Sequence, residues 1–419
     1  MRKLIEGIAP ERLGAGFRWL LASSWISDTG DGILIAAGPL LIASLTHNAF
    51  LIASGALLQW LPPLIFGLWA GVLSDRLNRK LIVITVDLLR AAILIVLSLT
   101  IMTGTVSIGL ALVTMFVYGI AEVFANNTSQ TFLPMLVHRD DLAIANSRVQ
   151  VGLVAVSQLA GPPIGAALFV AGRAVPFVAV SVLLAAGALL ITRIALPKHV
   201  RDDEPKAVWH EIVEGVRWVR GHAAIRTLVL TIFTFNITFG AAWSVLVLYS
   251  SRQLGLGELG FGLITTVGAV GGILGTLCYG WITRRVSLGN IMRIGLIVET
   301  FTHLGLALAT TPWVAMPIFF VFGAHALIWG TTSITVRQRA VPQALQGRVG
   351  SVNAVGVFGG LVIGSGIGGL LAEHLGVAAP FWFAFIGSAV FVVLIWKQLA
   401  HIAHDEPKPA ARPEAAPTR

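Results

Sequence analysis

A small set of ionisable side chains sits inside apolar runs: Asp28, Asp31, Asp87, Arg90, Glu122, Glu299, His303 and His325. An ionised group at the centre of a membrane helix costs about 2.5–3.5 kcal/mol on insertion scales, so such residues mark a pathway, a proton relay or a neutralising pair. Asp28 and Asp31 are three apart and share a helix face, about half-way along their apolar run. Two carboxylates held close in a poorly hydrated site raise the proton affinity of at least one of them. A carboxylate that takes a proton on one side of a membrane and releases it on the other can couple the movement of a second solute to the proton gradient. The simpler alternative is that one aspartate only pairs with a nearby basic or amide group. Asp87 with Arg90, and Glu299 with His303, have helical spacings that allow internal pairing and so cancel much of the membrane cost. His303 and His325 carry imidazoles, which titrate near neutral pH, so each is a proton-carrier candidate as well as a hydrogen-bonding group.

The elements that hold these residues are membrane helices. Of the 419 residues, 56% are apolar and only 12% charged, with 45 glycines. Soluble domains average about 25% charged residues. The long unbroken apolar runs exclude a barrel, whose strands would alternate over about ten residues. Runs between loop signals give twelve spans, at 17–45, 49–73, 81–103, 106–132, 144–171, 175–196, 225–249, 258–282, 291–310, 312–335, 349–373 and 377–397. The polar stretch 197–222 separates a six-span bundle at 1–196 from another at 223–400. Its second part places Trp209, Ile212, Val213, Val216 and Val219 near one face, which predicts an amphipathic helix on the inner leaflet. The tail at 401–419 is rich in Pro, Ala and charge and is expected to be disordered. The first residues lack an apolar stretch long enough for a cleavable signal and are expected to form a cytoplasmic lead-in.

The net charge of +9 could suggest nucleic acid, but the placement of the charges argues for membrane orientation instead. Lys and Arg cluster around 76–80, 139–148, 198–226, 284–293 and 337–348, whereas the connections at Thr46, Thr103 and Thr310 carry none and only Arg173 and Arg252 fall on that side. This positive-inside asymmetry puts both termini in the cytoplasm. Cys278 is the single cysteine, which excludes disulfides and thiolate metal clusters within one chain and suggests core packing. There is no phosphate-binding loop, no His-Glu-x-x-His metal motif and no dinucleotide-binding context, so an enzyme, a metal or a cofactor is not expected.

The turn between spans two and three, Gly71 to Lys80, carries Asp75, Arg76, Arg79 and Lys80 between oily flanks. Gly280 to Arg285, between spans eight and nine, is a degraded copy of it, with Arg284 where an acid would stand. Thr128-Ser129-Gln130-Thr131 is echoed by Thr332-Ser333-Ile334-Thr335, and Gly161-Pro162-Pro163-Ile164-Gly165 by Gly364-Ser365-Gly366-Ile367-Gly368. Such matches imply a parallel duplication with substrate held between the halves. Glycines 356, 360, 364 and 368 form a stripe on span eleven, and Gly268 with Gly272 another on span eight, for close helix packing or for sliding.

On these residues the whole chain resembles the major facilitator superfamily. Gly71, Asp75, Arg79 and Lys80 match its first cytoplasmic loop signature, with Asn78 where Gly is usual; Asn tolerates a left-handed turn better than most residues. Gly30-Asp31, Asp87-Leu88-Leu89-Arg90 and Leu133 to Val137 followed by Ala145-Asn146-Ser147 resemble its drug and siderophore exporter branch, and Gly161, Pro162 and Gly165 its antiporter motif. The resemblance implies an all-α polytopic fold of twelve transmembrane helices in two pseudo-symmetric six-helix bundles, in a bacterial inner membrane. It also implies proton-coupled export of a small amphipathic compound by alternating access, with a siderophore or lipid cargo, or a non-transporting sensor, as alternatives. The implied partners are a small-molecule substrate, protons and the lipid bilayer, with no nucleic acid, and the chain is expected to be monomeric. Asp31 lies in the family-like Gly-Asp pair and is the favoured coupling residue. Spans one, four, seven and ten would line the cavity, with Glu122 and Asn126 facing Asn236 and His325; Glu122 would bind a cation or a proton there, or only pack by hydrogen bonding. Spans three and nine would lie at the periphery. Gly161 to Gly165 would bend span five and seal the outer side. Asp75, braced by Arg79, would latch onto the N-terminus of span eleven as a cytoplasmic gate.

Overall fold

The computed structural model describes residues 10–195 and 208–399, without certain side chains in that range, among them those of Asp75 and Arg76. The expected disordered tail, the lead-in before Pro10 and the first part of the linker lie outside the described residues, as do the Asp75 and Arg76 side chains of the expected gate. Among the described residues, eleven helices are long and apolar enough to cross a membrane, and a twelfth, Ala379–Ile395, is shorter. Span one is Gly14–Leu45, span two Ala49–Arg76, span three Arg79–Met102, span four Ile108–Gln130 and span six Val175–Thr192. In the second half, span seven is Ala223–Trp243, span eight Glu258–Thr283, span nine Leu288–Leu308, span ten Pro312–Ala340, span eleven Gln346–Leu375 and span twelve Ala379–Ile395.

Polar residues in the connections set several helix starts. The side chains of Asn48, Asn78 and Ser107 accept the Leu51, Leu81 and Leu110 backbone N–H groups at 2.8, 3.2 and 3.2 Å, satisfying donors that a helix start leaves open. Asn78 is therefore a cap in extended conformation, with φ of -67°, rather than the left-handed turn residue the sequence suggested. Gly104 and Gly376, at φ of 70° and 93°, reverse the chain after spans three and eleven, where a side chain would be strained.

Two spans depart from simple helices. Span five is built from Leu142–Val151, a π-helical segment Gly152–Ala160, and Gly161–Ala171. The irregularity expected at Gly161 thus falls in the nine residues before it. Span seven ends at Trp243, and the apolar residues after it form the short turn Leu246–Leu248 and a π-helical turn, Tyr249–Gln253. The Tyr249 hydroxyl donates to the Leu306 carbonyl at 2.7 Å and ties this turn to the end of span nine.

Glycine lets paired spans approach backbone to backbone. A methyl group on Gly360 would stand 2.6 Å from the Phe233 carbonyl oxygen, and one on Gly240 2.7 Å from that of Leu361, so the span-eleven stripe is a packing face against span seven. Span eight meets span ten in the same way, with Gly275 against the Ala324 carbonyl. Cys278, expected in the core, is exposed on the outer surface of span eight, because Gly271, Gly272 and Gly275 make up the face turned inward.

The linker helix, Val208–Gly221, has Gly215 and Val219 buried and Val213 exposed. Its Glu214 accepts from Arg348 at the start of span eleven at 2.5 Å, and a methyl on Gly215 would stand 2.7 Å from the Arg348 carbonyl oxygen. The helix packs against the protein through Gly215 and Val219, with Val213 of the expected apolar face exposed; the side chains of Trp209 and Ile212 lie outside the described residues.

The halves touch at one end and part at the other. At the end holding Thr46, one apolar core combines Leu41, Ile42, Ala49 and Ala53 of the first half with Val245, Phe261, Phe319 and Phe381 of the second. At the opposite, Arg- and Lys-rich end there are two separate cores, one around Phe17, Phe132 and Ile194, the other around Leu228, Met292 and Ile395. Polar contacts also join the halves at the Thr46 end. Glu373 of span eleven accepts the Ala49 N–H at the start of span two at 2.5 Å, and Arg252 donates to the His47 carbonyl at 2.9 Å. A charge-assisted bond at a helix start contributes about 1.5–3 kcal/mol. Glu373→Ala is therefore expected to raise opening at this end by roughly tenfold or more. The measurement is thiol labelling of Ala53→Cys in a Cys278→Ser background; an unchanged labelling rate would assign the closure to the apolar core alone.

Candidate functional site

A cavity of about 1180 Å³ lies between the halves and extends to the basic end. Its two walls differ. Span one presents Ser24, Asp28 and Asp31, and span four presents Tyr118, Glu122 and Asn126 at intervals of one turn. The second half contributes Phe239, Trp243, Leu246, Phe261 and Leu361, among others. Among the described residues, every charged lining residue, namely Asp28, Asp31, Asp87, Arg90 and Glu122, comes from the first half.

Arg90 organises the charged wall. Its side chain is 1% exposed and donates to Asp87 at 3.2 Å, to Asp31 and to the Tyr118 hydroxyl. Tyr118 in turn donates to Asp31 at 2.9 Å, and the guanidinium carbon lies 4.5 Å from its ring centroid. Bridging two carboxylates and an aromatic face suits a planar, many-donor cation and not a point charge. The expected Asp87–Arg90 pair therefore forms, but it is not a private pair at the periphery: span three delivers Arg90 into the cavity wall. Asp31 acquires the basic partner that the simpler reading foresaw, yet its side chain keeps 19% exposure. Asp28 and Glu122 take part in no ion pair among the described residues while lining the same space.

A family model described as transmembrane secretion effector matches residues 5–414. The chain belongs to this family of major facilitator transporters. It is a multi-pass membrane transporter and not an enzyme. Macrolide efflux protein A of Streptococcus pyogenes is 24% identical over 392 residues, covering 90% of this chain and 94% of the relative. Multidrug efflux pump Tap of Mycolicibacterium fortuitum is 27% identical over 399 residues, covering 90% and 93%. Among solved structures, a bacterial homologue of the iron transporter ferroportin in an inward-facing state superposes with a TM-score of 0.73 at 16% identity, covering 92% of this chain and 98% of that one, which is a likeness of fold.

Two of the six expected cavity residues, Asn236 and His325, lie elsewhere. Asn236 donates to the Ile232 carbonyl at 2.7 Å and packs on Gly360, turned to the glycine stripe and not to the cavity. His325 is buried between spans nine and ten, with Nε2 2.9 Å from the Gly295 carbonyl oxygen and 3.8 Å from Glu299. Glu299 thus meets a histidine on the neighbouring helix, and the expected Glu299–His303 pair is replaced by this cross-helix contact. His303 instead sits edge-on to Trp243, ring centroids 6.2 Å apart.

Gly161 and Gly165 bring span five against the backbone of Gly32 and Ile33 on span one, and the Pro162 carbonyl lies against Gly262 of span eight. The motif is wedged between spans of both halves. In the Gly71 to Lys80 turn, Gly71 has open space where a side chain would be. Arg79 donates to the Ser74 carbonyl at 3.1 Å and approaches the Met135 sulfur at 3.3 Å, and Lys80 donates to the Thr192 and Ile194 carbonyls, each at 2.7 Å, closing the end of span six.

Sequence reasoning missed Tyr118, Trp243 and Glu373. Tyr118 was detectable in principle, as one of only three tyrosines and one turn before Glu122.

Proposed function

We propose that this transporter exports a small, cationic, amphipathic compound in exchange for protons, by alternating access, with Asp31 as the coupling carboxylate. The division of the cavity carries the proposal: among the described residues the carboxylates of Asp28, Asp31, Asp87 and Glu122 share one wall with the Arg90 guanidinium, and the other wall is uncharged, with aromatic and aliphatic side chains beside the hydroxyls of Ser244, Thr265 and Ser365. A cation with an apolar body fits both. Its charge is held by carboxylates in a medium less polar than water, and its body against Phe239 and Trp243. The names of the macrolide and multidrug relatives support an amphipathic cargo.

With the basic end in the cytoplasm, the cavity faces inward and the joined end faces outward. The compound enters from the cytoplasm as protons leave the carboxylates. After the halves rock, protons from outside neutralise the same carboxylates and release it. Arg90 and Tyr118 hold Asp31 in place, so that a proton or a bound cation changes a balanced group and not an isolated charge. The turn at Gly71, Asp75, Arg76, Arg79 and Lys80 clamps the cytoplasmic side in the opposite state, and Gly161, Pro162 and Gly165 keep the outer side sealed in this one. The protein works as a monomer in a bacterial inner membrane, with both termini in the cytoplasm.

The test uses inverted vesicles with ethidium as the cationic probe. Wild-type protein is expected to accumulate ethidium when the vesicle interior is made acidic. Asp31→Asn should lower that accumulation by at least roughly tenfold at equal membrane abundance, because an amide cannot carry the proton. Undiminished gradient-driven accumulation in that variant would remove Asp31 from the mechanism.

A further inference from the structure

The proposed cycle leaves a second group of titratable side chains unused. Glu299 and His325 approach to 3.8 Å across spans nine and ten. One turn from Glu299 on span nine, His303 is fully buried, and neither of its ring nitrogens has a hydrogen-bond partner among the described residues. His325 Nδ1 is buried and unpartnered as well. A buried polar atom without a partner is destabilising, and three ring nitrogens in one neighbourhood repeat that cost where an apolar side chain would avoid it.

Among the described residues the surrounding elements bring no other ion pair to the group; the Tyr249 hydroxyl, from the turn after span seven, donates to the Leu306 carbonyl of span nine. Span twelve has no titratable side chain, and span seven has only Arg226, at its far end. On span nine the other candidate is Arg293, whose guanidinium lies over Trp396 at 5.3 Å. Span ten adds Arg337 and Arg339 in its last turn, and span eight Glu258, Cys278 and Tyr279. The Tyr279 hydroxyl accepts from Thr332 at 3.3 Å. One aromatic ring stands between the group and the cavity: Trp243 is edge-on to His303 and also lines the cavity. A proton fits this place. On His325 it leaves the ring and the Glu299 carboxylate, 3.8 Å apart, as a neutralising pair.

We propose that Glu299, His303 and His325 form a second proton-binding site, in the half opposite Asp31, with Trp243 as the shutter between it and the cavity. Its part in transport rests on the exchange proposed above; proton binding at the site does not. The full chain, labelled at histidine ring nitrogens and glutamate carboxyl carbons, is placed in lipid nanodiscs and titrated by NMR from about pH 5 to about pH 9, the range an imidazole can report. His303→Gln, His325→Gln and Glu299→Gln assign the signals. The three groups are expected to take up one proton between them, and Glu299→Gln should displace or remove that titration, since the carboxylate that pairs with the imidazolium is gone. Constant protonation of all three groups across the range would overturn the site, and so would a titration indifferent to Glu299→Gln. In proteoliposomes, with ethidium as the probe, His303→Gln should lower the number of protons moved per ethidium. If wild-type protein moves no ethidium with protons, the exchange reading fails while the NMR titration still decides the site.

Discussion

Arg90→Met is expected to destabilise the transporter by about 3–5 kcal/mol and to abolish gradient-driven ethidium accumulation. Arg90 is the basic partner of Asp87, whose side chain is 4% exposed, and of Asp31 in the cavity wall. Removing one member of a buried pair leaves the other desolvated and uncompensated, whereas removing both is close to neutral. The double variant Arg90→Met with Asp87→Leu should therefore recover much of the lost stability, read as thermal unfolding in detergent, while transport stays absent because Asp31 has lost its positioning cation. Arg90→Lys should fall between, since an ammonium is a point charge that cannot bridge both carboxylates with fixed geometry. If the double variant is no more stable than Arg90→Met alone, the charge argument is wrong and Arg90 acts through packing.

Gly32→Val is expected to yield little or no folded protein in the membrane. A methyl on Gly32 would lie 2.5 Å from the Ser157 carbonyl oxygen and 2.9 Å from the Gly161 Cα, so it meets backbone that has no rotamer to yield. Overpacking a core costs about 1–3 kcal/mol where side chains can shift, and more where they cannot. Gly32→Ala should already lower the unfolding temperature, and Val should go further. Gly71→Ala is the matched control: the space around Gly71 is open, and alanine favours a helix interior by about 1 kcal/mol over glycine. Membrane abundance and unfolding temperature should be unchanged or raised there. Equal losses for Gly32→Ala and Gly71→Ala would show that close approach of spans one and five is not what Gly32 provides.

The helices were legible in the sequence because hydrocarbon leaves few choices for a polypeptide backbone. Most span boundaries fall within a few residues of those expected. Span seven is an exception: its apolar run continues past Trp243 to Leu248, and hydropathy alone does not separate a helix from the short turns that follow. The site was legible only in part. Spacing of three correctly joined Asp87 to Arg90, but local spacing is blind to Asp31, which Arg90 reaches from 59 positions away. For the same reason Glu299 found His325 and not His303, and the Glu373 contact with Ala49, 324 positions apart, left no sequence signal. Asn236 and His325 were placed by analogy with spans that line a cavity; the rotation of each helix about its axis, which decides where a side chain points, was set by the glycine faces.

The apolar core shared by both halves at the Thr46 end has a thermal consequence. In the proposed cycle, rocking to the opposite state would part this core and wet Ala49 and Ala53 of span two, which are 1% and 0% exposed here, Ala53 lying against Gly369 of span eleven. Hydration of apolar surface carries a large heat capacity, and the attraction it generates weakens on cooling. Under the proposed cycle the cost of parting this core falls on cooling, so the core gives the balance between the two facing states a temperature dependence of its own.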